Sequence, residues 1–442
     1  MMPTRPDRLI FVAFADPNMF HQGDQIRQRD KERFSFARFI AHARLAEEAG
    51  FDAIFKPDFL GLDRLTGDVR PRAGFEPLTL LTALSQHTKR LGLIITESTS
   101  FTEPYNVARY FTSLDHLSNG WAGWNIVTSY YGEENFGEGR LLPLAERYRQ
   151  ADEYLAVVNR LWSGWKPGAV TWQERGHRFD GDFIEPTNFS GTYFNVKQPI
   201  DLPPGPQGRP VLVQAGASEE GLDFAARHAE IVFTATPDLE AGISFYRDLK
   251  QRAVRHHRDG AGLKILPGLN IFVGRTEAEA KSIHLSQFTD ENLLKYRDKL
   301  VREAPLFRLG ELDLDKVIPA SAIPSEAELQ QVERRRSRGL LLRRYLDRPG
   351  VTLREVLSGI YEFGHLTLIG TAETVAKEIG RWFENHGCDG FVLKGGNSFP
   401  AVAREILPIL RERGLLRPSS EEGLTFRQAL FGTEPQPARK TG

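Results

Sequence analysis

Short runs of β-branched and aromatic residues alternate with helix-length amphipathic segments along almost the whole chain. That alternation constrains the fold more than any other feature, because parallel strands need a long crossover and a helix is the usual one. Residues 9–15, 51–55, 91–96, 122–128, 211–215, 231–235, 263–273 and 390–394 read as strands. Helices are predicted over 34–49, 77–88, 104–117, 144–162, 218–228, 240–256, 371–386 and 401–413, with Gly50 as a stop and Pro77 at a start. Eight strands, each succeeded by a helix, predict an α/β protein with the (β/α)₈ TIM-barrel architecture.

Two stretches break the rhythm. Residues 165–208, rich in Gly, Pro and aromatics, read as a hairpin-bearing insertion, and 276–364 are mostly charged and helical. The arginines within 330–344 suit a solvated helix face or an intersubunit contact better than a phosphate site. A barrel needs about 250 residues and often exceeds 400 with insertions, so 1–416 is expected to be one domain. The polar segment 417–442 is expected to be a tail, loosely ordered or wrapped on a neighbouring subunit.

Lys and Arg number 57 against 58 Asp and Glu, so charge gives no reason to expect nucleic acid or an anionic membrane as partner. The single cysteine, Cys388, rules out an intramolecular disulfide and a thiolate metal cluster. The apolar stretch 9–15 is too short for a signal peptide, and no run of about 18 apolar residues occurs. A soluble cytoplasmic protein is expected.

In a TIM barrel the residues just past each strand form the active site. Here those positions carry hydroxyls, amides and aromatics, among them Asn18, Phe20, His21, Asp58, Thr96, Ser98, Asn125, Thr128 and Ser129. Only His21 and Asp58 are plausible metal ligands, too few for a metal hydrolase. Asp58 and Glu97 are the sole candidate carboxylate pair for glycoside hydrolysis. Such a mouth suits a cofactor that brings its own reactivity.

Two loops suit an anionic group, Gln214-Ala-Gly-Ala-Ser218 at a helix start and Lys394-Gly-Gly-Asn-Ser398 after the last strand. The residues alone leave the choice nearly even, and either loop also reads as a tight turn with a serine cap. Neither a Walker loop nor a G-x-G-x-x-G fingerprint is present, so ATP and Rossmann-type dinucleotide binding are unsupported.

Several stretches, in order, resemble the bacterial-luciferase-like superfamily, and more closely its branch of nitrilotriacetate, dibenzothiophene-sulfone and long-chain alkane monooxygenases. They are Ala46-Glu-Glu-Ala-Gly-Phe-Asp-Ala-Ile-Phe55, Ser98-Thr-Ser-Phe-Thr-Glu-Pro-Tyr-Asn-Val-Ala-Arg109 and Leu114-Asp-His-Leu-Ser-Asn-Gly-Trp-Ala-Gly-Trp-Asn-Ile-Val-Thr-Ser129. Arg147-Tyr-Arg-Gln-Ala-Asp-Glu-Tyr154, Gln214-Ala-Gly-Ala-Ser218 and Gly364-His-Leu-Thr-Leu-Ile-Gly-Thr371 complete the set. The resemblance implies FMN across the barrel mouth, contacted by Asp58, Thr96, Ser98, Asn125 and Thr128. It implies that Tyr148 reaches the ribityl chain or phosphate and that Ala217 and Ser218 cap the phosphate, which selects the strand-five loop. Each residue also has an ordinary structural use: Asn125 in barrel hydrogen bonding, Tyr148 in helix packing, Asp58 as a turn cap.

The chain departs from the family at Leu144, where a histidine usually precedes the tyrosine by one turn, and in 16–33, which keep His21 but lack the usual Trp-Arg-His signature. The implied reaction inserts one oxygen atom from O₂ into a small organic substrate. A separate NAD(P)H-dependent reductase supplies the reduced FMN, and His21 is the candidate to donate a proton or hydrogen bond to the activated oxygen. The chain is expected to be a homo-oligomer, dimer or tetramer. The alternatives are a deazaflavin-dependent dehydrogenase of the same superfamily and a non-catalytic flavin-binding protein. The strand ends show no arginine cluster, which speaks against a polycarboxylate substrate.

Overall fold

The computed structural model describes residues 8–16, 34–61, 74–129, 131–137, 141–173, 176–216, 218–331, 336–346, 348–359, 364–416 and 423–432. Apolar runs form the strands β1 (Ile10–Phe14), β2 (Ala53–Lys56), β3 (Gly92–Ser98) and β4 (Ala122–Val127). Two small antiparallel hairpins follow, β5 (Val170–Gln173) with β6 (Gly176–Phe179) and β7 (Phe189–Ser190) with β8 (Asn195–Val196). The remaining strands are β9 (Val211–Gln214), β10 (Ile231–Thr234), β11 (Lys264–Val273), β12 (Leu366–Gly370) and β13 (Gly390–Gly396).

Eight of them close a parallel ring in the order β1-β2-β3-β4-β9-β10-β11-β13 and back to β1. These are the eight strands read from the sequence, and the ring is a TIM barrel. β12 is an addition that the sequence reading did not identify. It pairs with the upper half of the ten-residue β11, Leu269–Val273, beyond the part that pairs with β10.

Side chains alternate across the ring. Ile10, Val12, Phe14, Ala53, Phe55, Ile94, Val211, Val213, Leu266 and Val392 pack together inside it. Phe11, Ala13, Ile54, Leu93, Ile95, Leu212, Leu269 and Phe391 face the surrounding helices. Those helices are α1 (Phe36–Ala49), α2 (Pro77–Leu84), α3 (Pro104–Leu117), α4 (Leu144–Ser163), α5 (Glu219–His228) and α6 (Leu239–Arg255). Gly50, at φ 85°, ends α1 as the sequence suggested, since the left-handed region suits a residue without Cβ.

Between β11 and β12 lie α7 (Glu277–Leu285), α8 (Asp290–Glu303), α9 (Glu326–Gln330), α10 (Arg336–Leu346) and α11 (Leu353–Gly359). α8 to α11 share an apolar core of their own around Leu300, Phe307, Leu342 and Leu357. α12 (Ala372–Glu384) follows β12. After β13 come α13 (Phe399–Ala401), a π-helical stretch (Val402–Ile406) and α14 (Leu407–Glu412).

The described part of the C-terminal segment, residues 423–432, differs from the expectation of a loose or intersubunit tail. Residues Phe426–Phe431 form α15, which plugs the base of this chain's own barrel. Phe426 stacks on Trp121 with ring centroids 6.0 Å apart. A Cβ at Gly92 would stand 2.6 Å from the Phe426 ring, so a bare glycine in β3 makes room for it. Three apolar residues at helical spacing (Phe426, Ala429, Leu430) bury α15 against the barrel. No helix among the described residues is long and apolar enough to cross a membrane.

Candidate functional site

Strand alternation aims Thr96 and Ser98 of β3, and Asn125 of β4, into the mouth. Register sets Thr96 beside Asn125, and Asn125 Nδ2 donates to Thr96 Oγ1 at 2.9 Å. Asn125 is buried, and its Oδ1 meets no hydrogen-bond partner among the described residues. Ser98 Oγ and Ser129 Oγ lie 2.7 Å apart, and Ser129 adopts φ 51° just past β4. Its carbonyl accepts from Arg147 Nη1, tying the β4 loop to α4.

The next residue on α4, Tyr148, turns its hydroxyl toward the side chains of Ser218 and Thr128. Burial raises its pKa above the ordinary tyrosine value, against the pull of those two hydrogen bonds. Ser218 Oγ caps α5 by accepting from Gly221 N–H at 3.1 Å. A Cβ at Gly216 would stand 2.9 Å from the Tyr148 hydroxyl oxygen, and one at Gly221 only 2.7 Å. Bare backbone therefore lines a crevice where Thr128, Tyr148 and Ser218 converge from three elements, at the positive end of a ten-residue helix. Gln214 borders it. Its buried Oε1 also has no partner among the described residues, and the sequence reading counted this residue in the loop but not in the site.

Asp58 stands apart, on the β2 loop, where its Oδ1 accepts from Phe59 N–H at 2.8 Å. Burial, and to a lesser degree the like charge of Glu76, raise its pKa. Glu97 alternates with Thr96 and Ser98 and so faces outward; burial, with the like charges of Glu76 and Asp58, pushes its pKa to about 8. Asp58 and Glu97 thus do not face each other across the mouth. His21 and Ala217 lie outside the described residues. Leu144 begins α4, half-buried against the outer core one turn before Tyr148.

The competing loop after β13 is occupied with holding strands together. The Asn397 amide accepts from Val273 N–H at 2.9 Å and donates to the Val273 carbonyl at 2.8 Å, and Ser398 Oγ caps α13 through Ala401 N–H. The residues present fit a flavin nucleotide in the other crevice. Two unpartnered amide oxygens, of Asn125 and Gln214, suit ribityl hydroxyls or ring N–H groups. The bare backbone at the start of α5 suits a phosphate.

The profile of the luciferase-like monooxygenases matches residues 10–390. N-acetyl-S-(2-succino)cysteine monooxygenase of Bacillus subtilis (strain 168) is 35% identical over 410 residues, spanning 89% of this chain and 88% of its own. Nitrilotriacetate monooxygenase component A of Aminobacter aminovorans is 35% identical over 378 residues, spanning 83% and 81%. A solved structure of riboflavin lyase with modified FMN and riboflavin superposes with a TM-score of 0.78 at 28% identity, over 97% of this chain and 96% of that one. Both sequence relatives are oxygenases, which sides with oxygenation over deazaflavin-dependent dehydrogenation or mere flavin binding. Sharing barrel and sequence over most of its length with these proteins, the chain belongs to the luciferase-like monooxygenase family and is a flavin-dependent monooxygenase.

Proposed function

We propose that this chain is the oxygenase component of a two-component system. It takes reduced FMN from a separate NAD(P)H-dependent flavin reductase and, with O₂, places one oxygen atom on a small organic substrate. The convergence of Thr128, Tyr148 and Ser218 on a bare-backbone crevice at the start of α5 carries this reading. The mouth of hydroxyls and amides has no nicotinamide fingerprint beside it, and a relative that is itself called component A supports the need for a reductase.

In this reading Tyr148, Ser218 and Ala217 hold the phosphate with the backbone around Gly216 and Gly221. Thr128 and Gln214 serve the ribityl chain, while Asp58, Thr96, Ser98 and Asn125 orient the ring system. Bound reduced FMN supplies the electrons that activate O₂; the protein holds the ring, excludes water and places the substrate. His21 remains the proposed proton or hydrogen-bond donor to the activated oxygen.

The test combines the full chain, FMN, NADH and a generic flavin reductase with a panel of organic substrates. The panel holds N-acetyl-S-(2-succino)cysteine, nitrilotriacetate, a long-chain alkane and a dialkyl sulfide. Isotope-labelled O₂ is expected to place one labelled oxygen atom in at least one product, dependent on the reductase. Purification with tightly bound, stoichiometric FAD, or labelled product without any reductase and with NADH alone, would overturn the two-component reading.

A further inference from the structure

We infer that the β11–β13 side of the mouth anchors the substrate, with Asn270 and His365 hydrogen-bonding a substrate carboxylate above an aromatic floor. The inference rests on the flavin reading above and names the substrate class of that site.

All ten residues of β11 are buried. Leu269, Ile271 and Val273 face the outer helices, which leaves Leu266, Gly268 and Asn270 on the inner face. Asn270 is 1% exposed, and its Nδ2 finds no hydrogen-bond partner among the described residues. A buried amide left in that state is costly, and a bound acceptor removes the cost. Two residues earlier a Cβ at Gly268 would collide with His365 Nδ1, so the missing side chain is what admits the imidazole. His365 precedes β12 and thus reaches the inner face from outside the eight-strand ring.

Beneath it lies the floor. The His365 ring lies flat on Phe233, with centroids 5.4 Å apart and planes at 12°. Phe233 meets Phe14 and Phe55 edge-on, both at 5.9 Å, and those two meet each other at 5.2 Å. Phe14 and Phe55 are buried, while Phe233 and His365 are half-exposed. Lys394 sits at the register shift of β13, beside the point where Asn270 pairs with Gly395.

In a ring of eight, β11 and β13 stand four strands from β3 and β4, directly across from Thr96 and Asn125. This wall offers an unpartnered amide and an imidazole. Of the described carboxyls near the strand ends, Asp58 and Glu97 belong to β2 and β3 on the other side, while Asp16 follows β1, the neighbour of β13. An alkane would leave the Asn270 amide unsatisfied, whereas a carboxylate accepts from the amide and from the imidazole. The absence of an arginine cluster, a sign against such substrates in the sequence, is met by the Asn270–His365 pair.

The experiment titrates tricarballylate, a small tricarboxylate, into the FMN-loaded full chain by calorimetry, with 1-octanol as apolar control. Saturable binding of tricarballylate is expected, with Asn270→Leu and His365→Phe each weakening it about tenfold, the loss of one charge-assisted hydrogen bond. His365→Phe keeps the stack on Phe233 and removes only the ring nitrogens. FMN affinity should stay unchanged in both variants, which shows that both still fold. Absence of saturable binding to the loaded wild type, full retention in both variants, or a parallel fall in FMN affinity would each overturn the inference. Failure of the wild type to bind FMN at all would instead strike the flavin reading on which it rests.

Discussion

Ser218 Oγ already accepts a hydrogen bond from Gly221 N–H as the cap of α5, and it also lies against the Tyr148 hydroxyl. A serine at the head of a helix was legible in the sequence; its meeting with Tyr148, 70 positions earlier, was not. The two roles separate by ligand. A hydroxyl bound to a charged phosphate oxygen contributes roughly 1.5 to 3 kcal/mol, so Ser218→Ala should weaken FMN binding about ten- to a hundredfold. Riboflavin has no phosphate and should bind almost as before. Loss of the cap should lower stability by about 1 kcal/mol whichever flavin is used. Titration of both flavins into wild type and variant decides, and equal losses would remove the phosphate role.

At the scale of elements, α15 shows what local pattern reaches and where it stops. Thr425 and Gln428 form a reciprocal capping box, a signal present in the sequence. That the helix turns back into the barrel base depends on Gly92 in β3, more than 300 residues away, and on Trp121 beyond α3. Arg427 adds an ion pair to the buried Glu230, which Arg209 also pairs at 2.9 Å. Removing a buried phenyl ring costs about 3 to 5 kcal/mol, so Phe426→Ala should lower the urea unfolding free energy by that amount. FMN affinity should hold, because the plug lies at the opposite end from the mouth. A loss below about 1 kcal/mol would mean that the rest of the base closes the barrel without α15. β12 follows the same logic, since its partner is the overhang of β11, and an overhang exists only in the folded ring.

For the whole molecule, the half-buried Glu97 and the buried His42 set opposite slopes of stability with pH. Glu97 has its folded pKa raised from 4.5 to about 8, so the native state holds its proton more tightly. Its contribution is present below pH 4.5 and is lost as pH rises toward 8. His42, whose Nε2 lies 3.0 Å from the Phe14 carbonyl, has its pKa lowered by burial from 6.5 to about 4. Its contribution is present above pH 6.5 and is lost as pH falls toward 4. Glu97→Gln should therefore melt progressively higher than wild type as pH rises from 6.5 to 8, while both melt lower on the acid side. Scanning calorimetry across that range checks it; a constant gap between the two proteins would mean that Glu97 is ionised throughout.

Period and punctuation determined the eight strands, the helices between them and therefore the barrel, because strand alternation and helix caps are local properties. Strand ends also placed Thr96, Ser98, Asn125 and Thr128 at the mouth, since in a barrel the C-terminal end of every strand opens on the same face. Asn270 carried a faint signal, a lone amide within an apolar run, yet its facing depends on the register of β11. His365 carried less, for its place in the mouth depends on a glycine in another strand. Tertiary structure alone decided which polar groups are left without partners, because that is a property of what surrounds a residue rather than of its neighbours in the chain.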